Sequence, residues 1–168
     1  MKPFSLDPGV QRDLADFLIE LVNQKVRFAV VGGWAVMAHT GKPRPTKDLD
    51  IYVAPDDVNL LRVAQALGRF GAPAHLCSVG ALAPQAQAKF SGVTFGLPPN
   101  RIDVLTRMEV EFAELEMRVQ EFDMEGRGIP VASPSDLLTL KRLALQDDPR
   151  RKTDRADIKA LEALQTRS

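Results

Sequence analysis

Apolar residues recur at helical spacing from Pro8 to about Gln24, where Val10, Leu14, Phe17, Leu18, Leu21 and Val22 fall on one face. Asp7-Pro8 ahead of them has the chemistry of an N-cap followed by a first-turn proline. The pattern then changes. Phe28-Ala29-Val30-Val31 is an unbroken apolar run ending in Gly32-Gly33, which predicts a buried strand and a tight turn. Trp34 to His39 predicts a short helix leaving that turn. Thr40 to Lys47 is a polar loop broken by Pro43 and Pro45.

Leu49 to Val53 is the next strand, with Asp48 at its mouth. Asp56-Asp57 opens a helix whose apolar face is read as Val58, Leu61, Ala64 and Leu67, closed by Arg69 to Gly71. From His75 to Pro99 the only formal charge is Lys89, and Ser91 to Phe95 has the form of a strand. In Arg101 to Leu105, Ile102 and Val104 alternate with Asp103 and Leu105, a second clear strand. Glu116 to Met124 alternates moderately, and Ile129-Pro130-Val131 is a last short strand. Ser133-Pro134 caps a helix to about Gln146. After the basic linker Arg150-Arg151-Lys152, a final helix carries Ala156, Ile158, Leu161 and Leu164. Interleaved helices and strands of this kind predict an α/β protein with a mixed, twisted sheet and flanking helices. Residues 1–132 form the core, and residues 133–168 a helical pair packed on it.

Composition narrows the choice. The chain has 168 residues, 45% hydrophobic and 26% charged, enough to bury a core without staples. Lys+Arg and Asp+Glu both number 22, and a zero net charge argues against a general nucleic-acid binder. Cys77 is the single cysteine, so no internal disulfide forms. The expected setting is therefore reduced and cytoplasmic, with no membrane span and no signal-peptide core near Met1. His39 and His75 lack ligand spacing, which disfavours zinc.

The chemistry sits between Val30 and Val53. Asp48 and Asp50 are two apart on a strand, so both carboxylates point to one face while Leu49, Ile51 and Val53 point into the core. Adjacent ionised carboxylates repel, and an open face or a bridging cation relieves the repulsion. Mg²⁺ is the usual hard cation held by carboxylates together with substrate phosphates. Gly32-Gly33 bares backbone N–H groups where a triphosphate could lie. Asp103 stands alone in an apolar strand. If that strand pairs beside Asp48–Val53, a third carboxylate reaches the same edge, enough for two metals. The alternative for Asp103 is a surface position on an edge strand. Arg44, Thr46 and Lys47 precede the first aspartate and either clamp phosphates or are simply solvated. Asp157 is expected to cap or to pair with Arg151, Lys152 or Arg155. Trp34 reads as packing, and Cys77 as a buried, inert thiol.

An apolar strand, two glycines, a short helix, Asp-apolar-Asp on the next strand and a later Asp resemble the nucleotidyltransferase superfamily, the DNA polymerase beta-like fold. Gly32, Gly33, Asp48, Asp50 and Asp103 fill those positions. Gly33 stands where serine is more frequent, and the gap from Gly33 to Asp48 is long. Ser133 to Lys141 and Lys152 to Ile158 are similar to the closing helices of small bacterial members. Those include the aminoglycoside adenylyltransferase-like group and nucleotidyltransferase toxins of toxin–antitoxin and abortive-infection systems. The resemblance implies an enzyme that moves a nucleoside monophosphate from an NTP, ATP first among them, to a hydroxyl acceptor on a small molecule, a protein or a tRNA. It implies two Mg²⁺ on Asp48, Asp50 and Asp103, with Asp103 as the base. Gly32, Gly33, Thr46, Lys47 and Lys141 would contact the nucleotide. A second reading is a non-catalytic nucleotide-binding or regulatory component with a cognate protein partner encoded nearby. RNA is a third, less favoured partner.

Overall fold

The computed structural model describes residues 1–4, 12–46, 48–98 and 100–167. Among these residues seven strands form one sheet: β1 (Lys2–Pro3), β2 (Phe28–Val31), β3 (Asp48–Val53), β4 (Ser91–Phe95), β5 (Arg101–Arg107), β6 (Gln120–Met124) and β7 (Arg127–Val131), in the order β1-β6-β7-β2-β3-β5-β4. Parallel pairs (β1 with β6, β7 with β2, β3 with β5) alternate with antiparallel ones, so the sheet is mixed. The helices are α1 (Arg12–Asn23), α2 (Gly32–Thr40), α3 (Asp57–Phe70), α4 (Val79–Leu82), α5 (Phe112–Glu116), α6 (Pro134–Asp147) and α7 (Lys152–Gln165). The mixed α/β architecture expected from the pattern is the one observed. The helix start proposed at Asp7-Pro8 lies outside the described residues.

The strand pattern decides which face is which. In β3 Leu49, Ile51 and Val53 are fully buried, and in β5 so are Ile102 and Val104. That face is covered by α1 and α3. Phe17 of α1 lies 5.1 Å from Phe70 and 5.8 Å from Phe95 between ring centroids, which ties both helices to β4 beside Ile102. The opposite face carries Asp48, Asp50 and Asp103, and α2 with α6 and α7 packs on that side.

Some elements depart from the pattern. In α3 the buried face is Asn59, Leu60, Val63, Ala64, Ala66 and Leu67, whereas Val58 and Leu61 are exposed. Asn59 can be inside because its amide is fully used. It donates to the Arg27 and Ala54 carbonyls at 3.0 and 2.8 Å and accepts from the Arg27 N–H at 2.8 Å. Gly32 and Gly33 form no separate turn: they are the first residues of α2, with Gly32 at φ +68°. In α7 the buried positions are Asp154, Asp157 and Leu161, while Ala156 is exposed. Cys77 is half-buried rather than buried. At α6 the predicted cap is present: the Ser133 hydroxyl accepts from the Asp136 N–H at 3.1 Å, and Pro134 occupies the first turn.

Candidate active site

Parallel pairing of β3 with β5 sets Asp48 opposite Arg101 and Asp50 opposite Asp103. Because side chains alternate across a strand, all four fall on one face. Asp48, Asp50 and Asp103 offer carboxylate oxygens that all lie within 4.8 Å of one another. β5 is an interior strand, flanked by β3 and β4, so Asp103 is not at an edge. It accepts a hydrogen bond from the Thr94 hydroxyl at 2.6 Å. Arg101 donates to Asp48 Oδ2 at 2.6 Å, and its Nε lies 3.9 Å from Asp103 Oδ1.

The trio is short of positive charge. Burial, then the adjacent Asp103 and after it Asp48, push the Asp50 carboxyl up to about 7, and Lys141 opposes the shift. Asp48 Oδ1 is buried without a hydrogen-bond partner among the described residues. Gly32 closes the site from α2: a Cβ there would collide with the Asp50 carboxylate. Only glycine permits both this approach and the positive φ. An all-oxygen set with an orphaned buried oxygen and a half-neutralised acid suits a hard dication such as Mg²⁺.

The other expected residues take distinct places. A Cβ on Gly33 would lie 3.0 Å from the Thr46 hydroxyl, with the Arg44 guanidinium closer still. Thr46 donates to the Asp48 carbonyl at 3.2 Å, holding the end of the 41–46 loop against β3. Lys47 lies outside the described residues. Lys141 is not solvated. Its ammonium sits 3.0 Å from both Asp154 Oδ1 and Asp157 Oδ2. Asp157 also binds Arg44 (3.0 Å), and Asp154 binds Arg151 (2.5 Å). Asp157 therefore pairs with Arg44 and Lys141, not with Arg151, Lys152 or Arg155. His39 is a half-buried structural histidine: it donates to the Ala132 carbonyl at 2.7 Å, and burial lowers its pKa.

A cleft of about 330 Å³ opens beside the carboxylates. Val31, Gly32 and Asp50 form one wall, and Phe90, Leu105 and Met108 a second. Leu137, Leu140, Lys141 and Ala144 of α6 form a third, with Arg151 and Asp154 behind them. One cavity thus joins acids, cations and apolar surface.

Residues 12–163 match the family model described as nucleotidyl transferase AbiEii toxin, type IV TA system. The chain belongs to this family. It is a nucleotidyltransferase enzyme, as the family model describes. The fold agrees with solved nucleotidyltransferase structures. The antibiotic-resistance factor ANT(2'')-Ia superposes with a TM-score of 0.59 at 14% identity, over 89% of this chain and 80% of that one. LnuA, a lincosamide antibiotic adenylyltransferase solved with lincomycin bound, gives 0.57 at 18% identity, over 90% and 96%. An antigenic nucleotidyltransferase-like protein from Paracoccidioides brasiliensis gives 0.55 at 20% identity, over 95% and 78%. No curated protein matches by sequence.

Sequence reasoning missed several residues of this AbiEii-family site. Arg101, Thr94 and Asp154 were not singled out, and Arg151 was expected only as a partner of Asp157, whereas it binds Asp154. For Asp154 a signal existed: Asp154, Asp157 and Leu161 follow i, i+3, i+7 spacing and so share the face of an inward leucine. For Arg101 the signal was its place two residues before Asp103, on the same strand face.

Proposed function

We propose that this chain is a Mg²⁺-dependent nucleotidyltransferase that moves a nucleoside monophosphate from an NTP, ATP first among candidates, to a hydroxyl acceptor. The observation that carries this reading is the convergence of Asp48, Asp50 and Asp103 within 4.8 Å, next to the start of α2 and a cleft lined by Lys141 and Arg151. Asp48, Asp50 and Asp103 would hold two divalent ions, which would supply positive charge against the triphosphate. Gly32 and Gly33 seat the phosphates against backbone N–H groups. Lys141 lines the nucleotide's path, and Thr46 stands beside Gly33. The acceptor oxygen forms a bond to the α-phosphorus, the bond to the β-phosphate oxygen breaks, and pyrophosphate leaves. Asp103 takes the acceptor's proton. The sheet fixes the carboxylates beforehand, so little reorganisation is left to the reaction.

Asp48→Ala and Asp50→Ala are expected to lose transfer of label from α-labelled ATP by about 10³-fold, while both variants melt cooperatively. Full transfer in either would remove the mechanism. The family description further supports a toxin whose partner is an antitoxin. Growth arrest on expression, relieved by a co-expressed neighbouring gene, tests that role. The single cysteine supports a reduced, cytoplasmic setting, and no helix among the described residues is long and apolar enough to cross a membrane.

A further inference from the structure

Arg101 is held to the carboxylate trio differently from the two forked arginine–acid pairs of this chain. Arg118 grips Asp136 with two prongs, at 2.8 and 3.0 Å, and Arg27 grips Glu116 at 2.6 and 2.9 Å. Both are the forked geometry of a settled guanidinium–carboxylate pair. Arg101 instead makes one short bond, to Asp48 Oδ2 at 2.6 Å. Its Nε is buried and makes no hydrogen bond among the described residues, lying 3.9 Å from Asp103. Asp48 Oδ1 is likewise buried and unbonded. Two buried polar atoms thus go unsatisfied at this contact, as Arg44 Nε and Asp154 Oδ2 do in the α7 cluster, but here one cation serves three acids whereas there three cations serve two. The same contact stretches from Asp48 towards Asp103, the two carboxylates that flank Asp50.

We infer that Arg101 is the resident counter-cation of the carboxylate trio, one that gives way when a divalent ion enters. This rests on the metal reading proposed above. The guanidinium neutralises part of the acidic charge in the metal-free protein. A divalent ion must displace it from Asp48, so metal binding without nucleotide carries an exchange cost. The freed fork, with five N–H donors, is then available to a triphosphate held at the metal. Metal and triphosphate therefore bind as a pair: the triphosphate accepts the guanidinium that the metal expels. Reciprocal coupling between two ligands of this kind is commonly 5- to 150-fold.

The test is Mn²⁺ binding to the full chain, followed by electron paramagnetic resonance of free Mn²⁺, with and without a non-hydrolysable ATP analogue. Without nucleotide, Arg101→Gln is expected to bind Mn²⁺ about fivefold or more tightly than the parent chain. Its melting temperature should also rise more on Mn²⁺ addition. Arg101→Lys keeps the charge on a single prong and should bind Mn²⁺ as weakly as the parent. With the analogue present, the advantage of Arg101→Gln should vanish, because the parent gains from the guanidinium–phosphate contact. Equal or weaker Mn²⁺ binding by a folded Arg101→Gln overturns the inference and leaves the metal reading standing. Tight binding by both variants overturns it too, since charge would not be the cause. No Mn²⁺ bound by any chain under either condition overthrows both this inference and the metal reading on which it rests.

Discussion

Two clusters of aspartates lie on the same side of the sheet, and they are built on opposite terms. In the first, Asp154 and Asp157 of α7 are buried, yet three cations reach them: Lys141, Arg44 and Arg151. In the second, Asp48, Asp50 and Asp103 share one cation, Arg101, and Asp50 has no cationic hydrogen-bond partner among the described residues. The first is matched in charge, and in that sense closed, though Arg44 Nε and Asp154 Oδ2 make no hydrogen bond among the described residues, and it ties the 41–46 loop, α6 and α7 together. The second is left open, with one acid driven up to about 7 by burial and by Asp103. Buried charge is tolerated when it is matched, and where it is unmatched the protein has reserved room for something else.

The contrast predicts opposite signs for similar substitutions. The largest effect is expected at Asp157. Replacing it by alanine leaves Arg44 without its anion and Lys141 with only Asp154, and should cost about 3 kcal/mol. Denaturant titration measures it, and a loss below about 1 kcal/mol would show that the network is dispensable. At Asp50 the sign reverses. Asp50→Asn removes a repelled charge while keeping the shape, and should raise metal-free stability at pH 8 by about 1 kcal/mol or more, the worth of one unit of pKa displacement. A lower denaturation midpoint in that variant would contradict the account of an open site. Activity and stability would then part at one residue, as expected where a site stores strain.

A smaller effect sharpens the same comparison. The folded pKa of Asp50 lies above its unfolded value, so the native state holds its proton over a range in which the unfolded chain has lost it. The resulting stabilisation is complete below the unfolded value near 3.8 and is lost as pH rises through about 7. Thermal melts from pH 5 to pH 8 in EDTA should therefore fall more steeply for the parent chain than for Asp50→Asn. Parallel slopes would remove Asp50 from the explanation. Adding Mg²⁺ at pH 8 should restore much of the loss, because the ion then replaces the proton.

Much of the open cluster was legible in the sequence, and almost none of the closed one. β2, β3 and β5 are dense apolar runs, and a period of two places Asp48 and Asp50 on one face without any tertiary knowledge. Asp103 announced itself as a lone acid among Ile102, Val104 and Leu105. That its strand lies beside Asp48–Val53 was a condition of the reading, and the parallel pairing of β3 with β5 meets it. The closed cluster reads differently because charged residues are assigned outward by default. Nothing in Arg44 or Lys141 says that each will find an acid on α7, more than ten residues away in one case and more than a hundred in the other. The phase of α3 was misread for a related reason: Asn59 is inside because backbone groups of Arg27 and Ala54 satisfy it, and those are distant in sequence. β1 is two residues long and exists only by pairing with β6, so no local pattern could mark it.

The closed cluster also has a consequence for the order in which the protein becomes competent. α7 follows the other described elements of the fold along the chain, yet its two acids hold Lys141 at the cleft and Arg44 beside Gly33. During synthesis the carboxylate-bearing strands emerge and can pair well before those acids leave the ribosome. A nascent chain can therefore possess its metal ligands while the cations across from them still swing freely, and the cleft acquires a fixed wall only when the last helix docks.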